Sequence, residues 1–190
     1  MTENSRTRRG VDLTGRSTGT YKDPRFRKLN RPPKGVPFAW ITLPMLKSPA
    51  WRAMSRNAKL VVERVLVEHM NHGGAKNGAL PVTYNDFVEY GIRRNSVRKA
   101  IDEAAELGFI AVAQKGTRAW GEYAGHATTF RVAWLPTIHG DTPQSKWARF
   151  ADLESAEAAS ARVRSAGTQG RSDRANHKEA PATGRSRAAK

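Results

Sequence analysis

Residues 80–108 read LPVTYNDFVEYGIRRNSVRKAIDEAAELG, and their punctuation decides the architecture. Residues 80–84 read as a short edge strand, where a proline such as Pro81 is tolerated because the edge needs no donor there. Thr83 or Asn85 can cap a brief helix over residues 86–90, which offers Phe87, Val88 and Tyr90 to a core. Gly91 supplies a turn and Ile92 packs beneath it. Asn95 is expected to cap a second helix over residues 96–107, which Gly108 ends. Along it Val97, Ile101, Ala104 and Gly108 fall on one stripe, flanked by Ala100, Ala105 and Leu107.

The pattern continues on both sides. Upstream, Pro37-Phe38-Ala39-Trp40-Ile41 is an apolar run expected to enter the core. Ser48-Pro49 pairs an N-cap residue with proline at the first helical position, predicting a short helix that carries Ala50, Trp51 and Met54. Ser55 can cap a longer helix from Arg56 to about Asn71. Val61, Val65 and His69, with Val62 and Leu66, give it an apolar face at 3–4 spacing, and Gly73-Gly74 stops it. Downstream, residues 109–113 and 128–134 read as two antiparallel strands around a long connection containing Gly116, Gly121 and Gly125. Phe130, Val132 and Trp134 share the buried face of the second strand, and Thr129 and Arg131 the other. Beyond Pro136, residues 144–164 are expected to form one more helix, with Trp147, Phe150 and Leu153 at i, i+3 and i+6.

Helix, helix, strand, helix, tight turn, helix, hairpin is the order of a winged helix-turn-helix, an α+β fold expected over residues 37–136. Residues 80–84, Gly91-Ile92-Arg93-Arg94-Asn95-Ser96-Val97, Ala100-Ile101 and Leu107-Gly108-Phe109-Ile110 resemble bacterial winged helix-turn-helix DNA-binding proteins. Similar modules occur in MarR-like and GntR-like regulators and in plasmid or phage replication initiators. The resemblance covers about half the chain. It implies binding of double-stranded DNA, either in transcription regulation or in plasmid or phage DNA replication. It speaks more to fold than to role, because one fold hosts many roles.

The residue types suit that chemistry. The major groove admits one helix, whose N-terminal half must meet phosphates and base edges with positive and polar groups. Arg93, Arg94, Asn95, Ser96, Arg98 and Lys99 crowd that end of the second helix. With Val97 inward, Asn95, Lys99 and Asp102 point most directly outward, so Asn95, Ser96 and Lys99 are the expected base readers. Arg93, Arg94 and Arg98 are assigned to phosphates or a guanine. The hairpin connection adds Lys115, Arg118 and His126 for an adjacent minor groove or the backbone. Trp120 and Tyr123, between them, are expected to fold back on the hairpin.

Charge supports a polyanionic partner. The 190 residues hold 33 Lys and Arg against 17 Asp and Glu, a net +16, and each phosphate neutralised releases condensed counterions. Residues 1–34 carry +7, residues 35–136 +5 and residues 137–190 +4. Only 38% of the residues are hydrophobic, consistent with one core flanked by a disordered basic arm over residues 1–36 and a disordered tail over residues 166–190. Residues 137–165 form a linker and the extra helix, a candidate dimer element. In the arm, Arg25, Arg27, Lys28 and Arg31 resemble basic arms that track DNA, and a solubilising tail is an equal reading.

Other classes find little footing. With no cysteine there are no disulfides, thiolate zinc sites or cysteine nucleophiles. That suits the cytoplasm, as does the lack of a run of about 20 apolar residues for a membrane or an apolar stretch after Arg6, Arg8 and Arg9 for secretion. Gly15-Arg16-Ser17-Thr18-Gly19 matches a hydrolase elbow but lacks the strand before and the helix after it. His69 and His72 beside Glu68 lack a third metal ligand. No catalytic residue, metal or cofactor is therefore expected. The rival reading is a protein-interaction module that docks through an acidic face of Asp102, Glu103 and Glu106, with basic tails tethering it to nucleic acid. RNA binding is the third, disfavoured by the lack of aromatic stacking residues on a sheet.

Overall fold

The computed structural model of the chain describes Pro32, residues 34–117, Trp120, Glu122 and residues 124–178, with residues 167–178 described by backbone alone. Contacts divide the chain into Met1–Val36 and Pro37–Lys190, and every helix and strand of the described residues lies in the second unit. Most of the expected arm, the last residues of the expected tail, the Gly15–Gly19 motif, Arg118 and Tyr123 lie outside the described residues.

The described residues form an α+β fold of six α-helices and a small three-stranded antiparallel sheet. Helices α1 (Leu43–Lys47) and α2 (Pro49–Ala53) both carry proline in the first turn, where no backbone donor is missed. The Ser48 hydroxyl accepts from Trp51 N at 3.2 Å and caps α2. Helix α3 (Arg56–Asn71) starts at Ser55, whose hydroxyl accepts from Ala58 N, and ends at Gly73 and Gly74 with φ +60° and +79°. Strand β1 (Leu80–Pro81) leads into α4 (Tyr84–Glu89). There a reciprocal cap joins Thr83 and Asp86: the Thr83 hydroxyl accepts from Asp86 N, and the Asp86 carboxylate accepts from Thr83 N at 2.6 Å. After the turn come α5 (Val97–Glu106), β2 (Ile110–Gln114) and β3 (Thr129–Val132). A 3-10 turn (Lys146–Arg149) and α6 (Leu153–Lys178) complete the described chain.

Helix α3 is the keel of the fold. Its Ala58, Val61, Val62, Val65 and Leu66 are buried, and it touches α5, α4, β1 and β3. The sheet order is β1-β3-β2, so the middle strand is the last in sequence, with Leu80 opposite Phe130 and Ile110 opposite Val132. Aromatic rings lock the layers edge to face: Phe87 on Phe130 at 5.7 Å, and Phe109 between Trp51 at 5.3 Å and Trp134 at 6.1 Å. Helix α6 covers α2 and α5, burying Ala156, Ala159 and Ser160.

Several local expectations are corrected. Phe38 and Trp40 are exposed rather than core, and only Ala39 and Ile41 pack partly against it. Trp40 contributes its carbonyl instead, which accepts from Trp134 Nε1 at 2.9 Å. The first strand stops at Pro81 because the Thr83 cap turns the chain into α4 at Tyr84, and Val88 faces solvent. Ser96, not Asn95, is the N-cap of α5, and its side chain does not cap. Residues 144–164 are not one helix: the chain breaks after Arg149, and α6 begins only at Leu153.

Asn77 had no signal in the sequence. It is 1% exposed; its amide donates to the carbonyls of Val132, Leu135 and Pro136, and its Oδ1 accepts from Val132 N at 2.7 Å. It satisfies the backbone where β3 leaves the sheet, which an apolar residue could not do.

Candidate nucleic-acid interface

The turn from α4 to α5 is built to expose charge. Gly91 adopts φ +100°, which a side-chain-bearing residue disfavours, and it reverses the chain so that Ile92 is buried while Arg93, Arg94 and Asn95 face solvent. Ser96 N donates to the Arg93 carbonyl at 2.8 Å, which closes the turn. The Ser96 hydroxyl makes no cap on α5, unlike those of Ser55 on α3 and Thr83 on α4. Such a terminus favours an anion.

Arg94 is held rather than loose. Its Nη1 donates to Asn85 Oδ1 at 2.8 Å, tying it to the first turn of α4. Arg94 and Asn85 then form one wall of an open groove of about 840 Å³ whose far wall is the neck of the β2–β3 hairpin, with Gly116, Thr117, His126 and Thr128. A smaller cleft of about 240 Å³ brings Arg98 and Lys115 together with Tyr84 and Asp102. Ser96 and Lys99 lie on the opposite flank of α5, in a cleft of about 260 Å³ shared with Ser55, Asn57, Glu103 and Arg164. The expected site residues therefore occupy two flanks of one ridge. Arg94, Arg98 and Lys115 turn towards the hairpin and Ser96 and Lys99 towards α3 and α6, while Arg93 and Asn95 are exposed in the turn before α5. Tyr84 and Asn85 were read from sequence only as strand and cap residues. Nothing local announces that they meet Arg94 and Lys115, because the hairpin arrives some thirty residues later.

The hairpin neck is tightly drawn. The ladder shifts register between Val112 and Gln114, leaving Ala113 as an extra residue, and such a bulge increases twist and re-aims the strand beyond it. At Gly116 a Cβ would lie 2.6 Å from Thr128 N and 2.7 Å from the His126 carbonyl, so only glycine lets the two arms approach so closely. Thr117 N donates to the His126 carbonyl at 2.9 Å. The His126 ring spans from the Lys115 carbonyl, 3.1 Å from Nε2, to the Thr117 hydroxyl, 3.0 Å from Nδ1. Since a carbonyl only accepts, Nε2 carries the hydrogen there. Trp120 does not fold back: it is 86% exposed.

The carboxylates of α5 are engaged within the chain. Asp102 accepts from Arg98 Nε at 2.8 Å, and this hydrogen bond is the main reason the Arg98 pKa is raised. Glu106 accepts from Arg149 at 2.9 Å and from Arg162 at 3.0 Å. Glu103 is 1% exposed, against the expectation that it lies on an acidic surface. It accepts from Ser55 N at 3.0 Å, from the Ser55 and Ser160 hydroxyls at 2.6 Å each, and pairs with Arg164 at 3.4 Å.

Elsewhere, Glu68 lies 2.9 Å from Arg64 and 3.2 Å from His72, and His69 is buried. Among the described residues no three His, Asp or Glu side chains are grouped to hold a metal, and no helix is long and apolar enough to cross a membrane. No protein-family model, characterised protein or solved structure matches the chain.

Proposed function

We propose that this chain binds double-stranded DNA sequence-selectively through a winged helix-turn-helix. In this reading α4 and α5 are the helix-turn-helix pair, α5 enters the major groove by its N-terminal end, and the β2–β3 hairpin is the wing. The observation that carries it is the facing of Arg94, in the basic turn before α5, and the hairpin neck across one open groove. The sheet order, with β3 between β1 and β2, supports the reading of the β2–β3 hairpin as a wing. Arg93 and Arg94 are assigned to phosphates or a guanine, and Asn95 to a base edge. Arg98 reaches a phosphate by leaving Asp102, and Lys115 holds the backbone from the wing. Ser96 and Lys99 meet the strand that runs on the α3 side. The acidic-face alternative is less well supported, because Glu103 is buried and Glu106 is paired twice.

The test is selection of bound duplexes from a random-sequence library at several salt concentrations. Enrichment of a motif is expected, with a salt slope implying on the order of five or more phosphate contacts at about −0.9 each. Arg93→Glu with Arg94→Glu should abolish the enrichment; intact selective binding by that variant would sink the placement of α5. Within the proposal, a symmetric selected site indicates a dimeric transcription regulator, and tandem repeats a plasmid or phage replication initiator.

A further inference from the structure

We infer that Trp120 is a base-stacking wedge, which inserts at a base step of the bound duplex and bends it. The inference rests on the duplex-binding reading above and adds to it a defined contact and a mechanical act. Trp134 is 2% exposed, Trp51 and Trp147 pack partly into the core and Trp40 is 47% exposed, whereas Trp120 stands 86% in water. Exposing an indole forfeits the burial that drives folding, so the tip gains nothing for the fold by carrying one.

The neck beneath it is built to hold the tip out. Close approach of the arms at Gly116, the Thr117–His126 pairing and the His126 ring bridging Lys115 and Thr117 oppose collapse of the tip onto the core. Against that neck lie Arg94, in the groove, and Arg98 with Lys115, in the cleft that adjoins it at Tyr84, Gly116 and Thr128. A phosphate backbone held by those cations leaves the tip facing bases rather than bulk solvent. The described tip residues Glu122 and Ala124 are also exposed and add no apolar bulk. A flat aromatic so exposed suits a base face, to which stacking is sequence-tolerant. Apolar side chains wedged between base steps kink duplexes in this way.

The experiment uses the full chain and its W120A and W120F variants. The probe is a short duplex carrying the site enriched from the random-sequence library, with donor and acceptor dyes at its ends, read by anisotropy and by energy transfer across a salt series. Wild type should bind and shorten the end-to-end distance. W120A should bind about tenfold more weakly without shortening it. Its salt slope should match wild type, because an indole releases no counterions. W120F should retain most of both effects. Equal melting temperatures for the three proteins will show that the fold is intact, as expected for so exposed a residue. If W120A binds and bends the duplex as wild type does, the wedge is overturned while duplex binding stands. If wild type binds no duplex, both fall. Trp120-dependent binding to single strands or to anionic vesicles, without duplex bending, likewise overturns the wedge.

Discussion

His69 closes α3 with 6% of its surface exposed and its Nδ1 without a hydrogen-bond partner. Burial disfavours the imidazolium and lowers the pKa below the ordinary 6.5. Between the lowered folded value and 6.5 the unfolded chain binds more protons, so by linkage stability is full above 6.5 and declines as pH falls towards the folded value. Urea unfolding measured from pH 8 to pH 5 should show that decline, and His69→Leu should flatten it. Asp86 acts in a separate, more acid window. Its partial burial is the largest single influence and raises its pKa, but the bonds from Thr83 and the charge of Arg64 together outweigh it and lower the pKa below 3.8. Its contribution is therefore present above that value and lost only below it.

Among the elements, the join between α3, α5 and α6 depends on one carboxylate. Glu103 sits at the N-terminus of α3, where the helix dipole favours negative charge, and binds Ser55 there and Ser160 and Arg164 on α6. Glu103→Ala should lower stability by about 2–4 kcal/mol in urea unfolding, since it takes the acceptor from the Ser55 N–H and from the Ser55 and Ser160 hydroxyls, and Glu103→Gln by less. Helices α2 and α3 and the hairpin were legible because their signals are local: Ser48-Pro49, Ser55 before an apolar stripe, and alternation at Phe130, Val132 and Trp134. The basic turn was legible too, from Gly91 and the three polar residues after Ile92. What escaped depends on distant partners. Glu103 looks like surface charge until Ser55 and Ser160 arrive, Asn77 until Val132 does, and Tyr84 until the hairpin neck does. Helix α1 escaped for another reason: Thr42 makes no side-chain cap and only Met45 is buried, so neither a cap nor an apolar stripe marks it.

For the whole molecule, the bundle and sheet lean on the C-terminal segment. Gly108, at φ +83°, packs so closely on Lys146 and Trp147 that a Cβ would meet Trp147 N at 2.6 Å, and Arg149 donates to the Glu106 carbonyl at 2.6 Å. A chain ending at Pro136 would uncover α2 and α5 and leave Glu103 without Ser160 and Arg164. It should lose roughly 3 kcal/mol or more and unfold with a broader thermal transition, read by circular dichroism. The hairpin neck has the opposite consequence. The arms are already clipped together at Gly116, Thr117 and His126, and Trp120, Glu122 and Ala124 beyond them are exposed. Substitution at those tip positions therefore costs the fold little, and descendants of this chain can diverge in what the tip touches while inheriting the same scaffold unchanged.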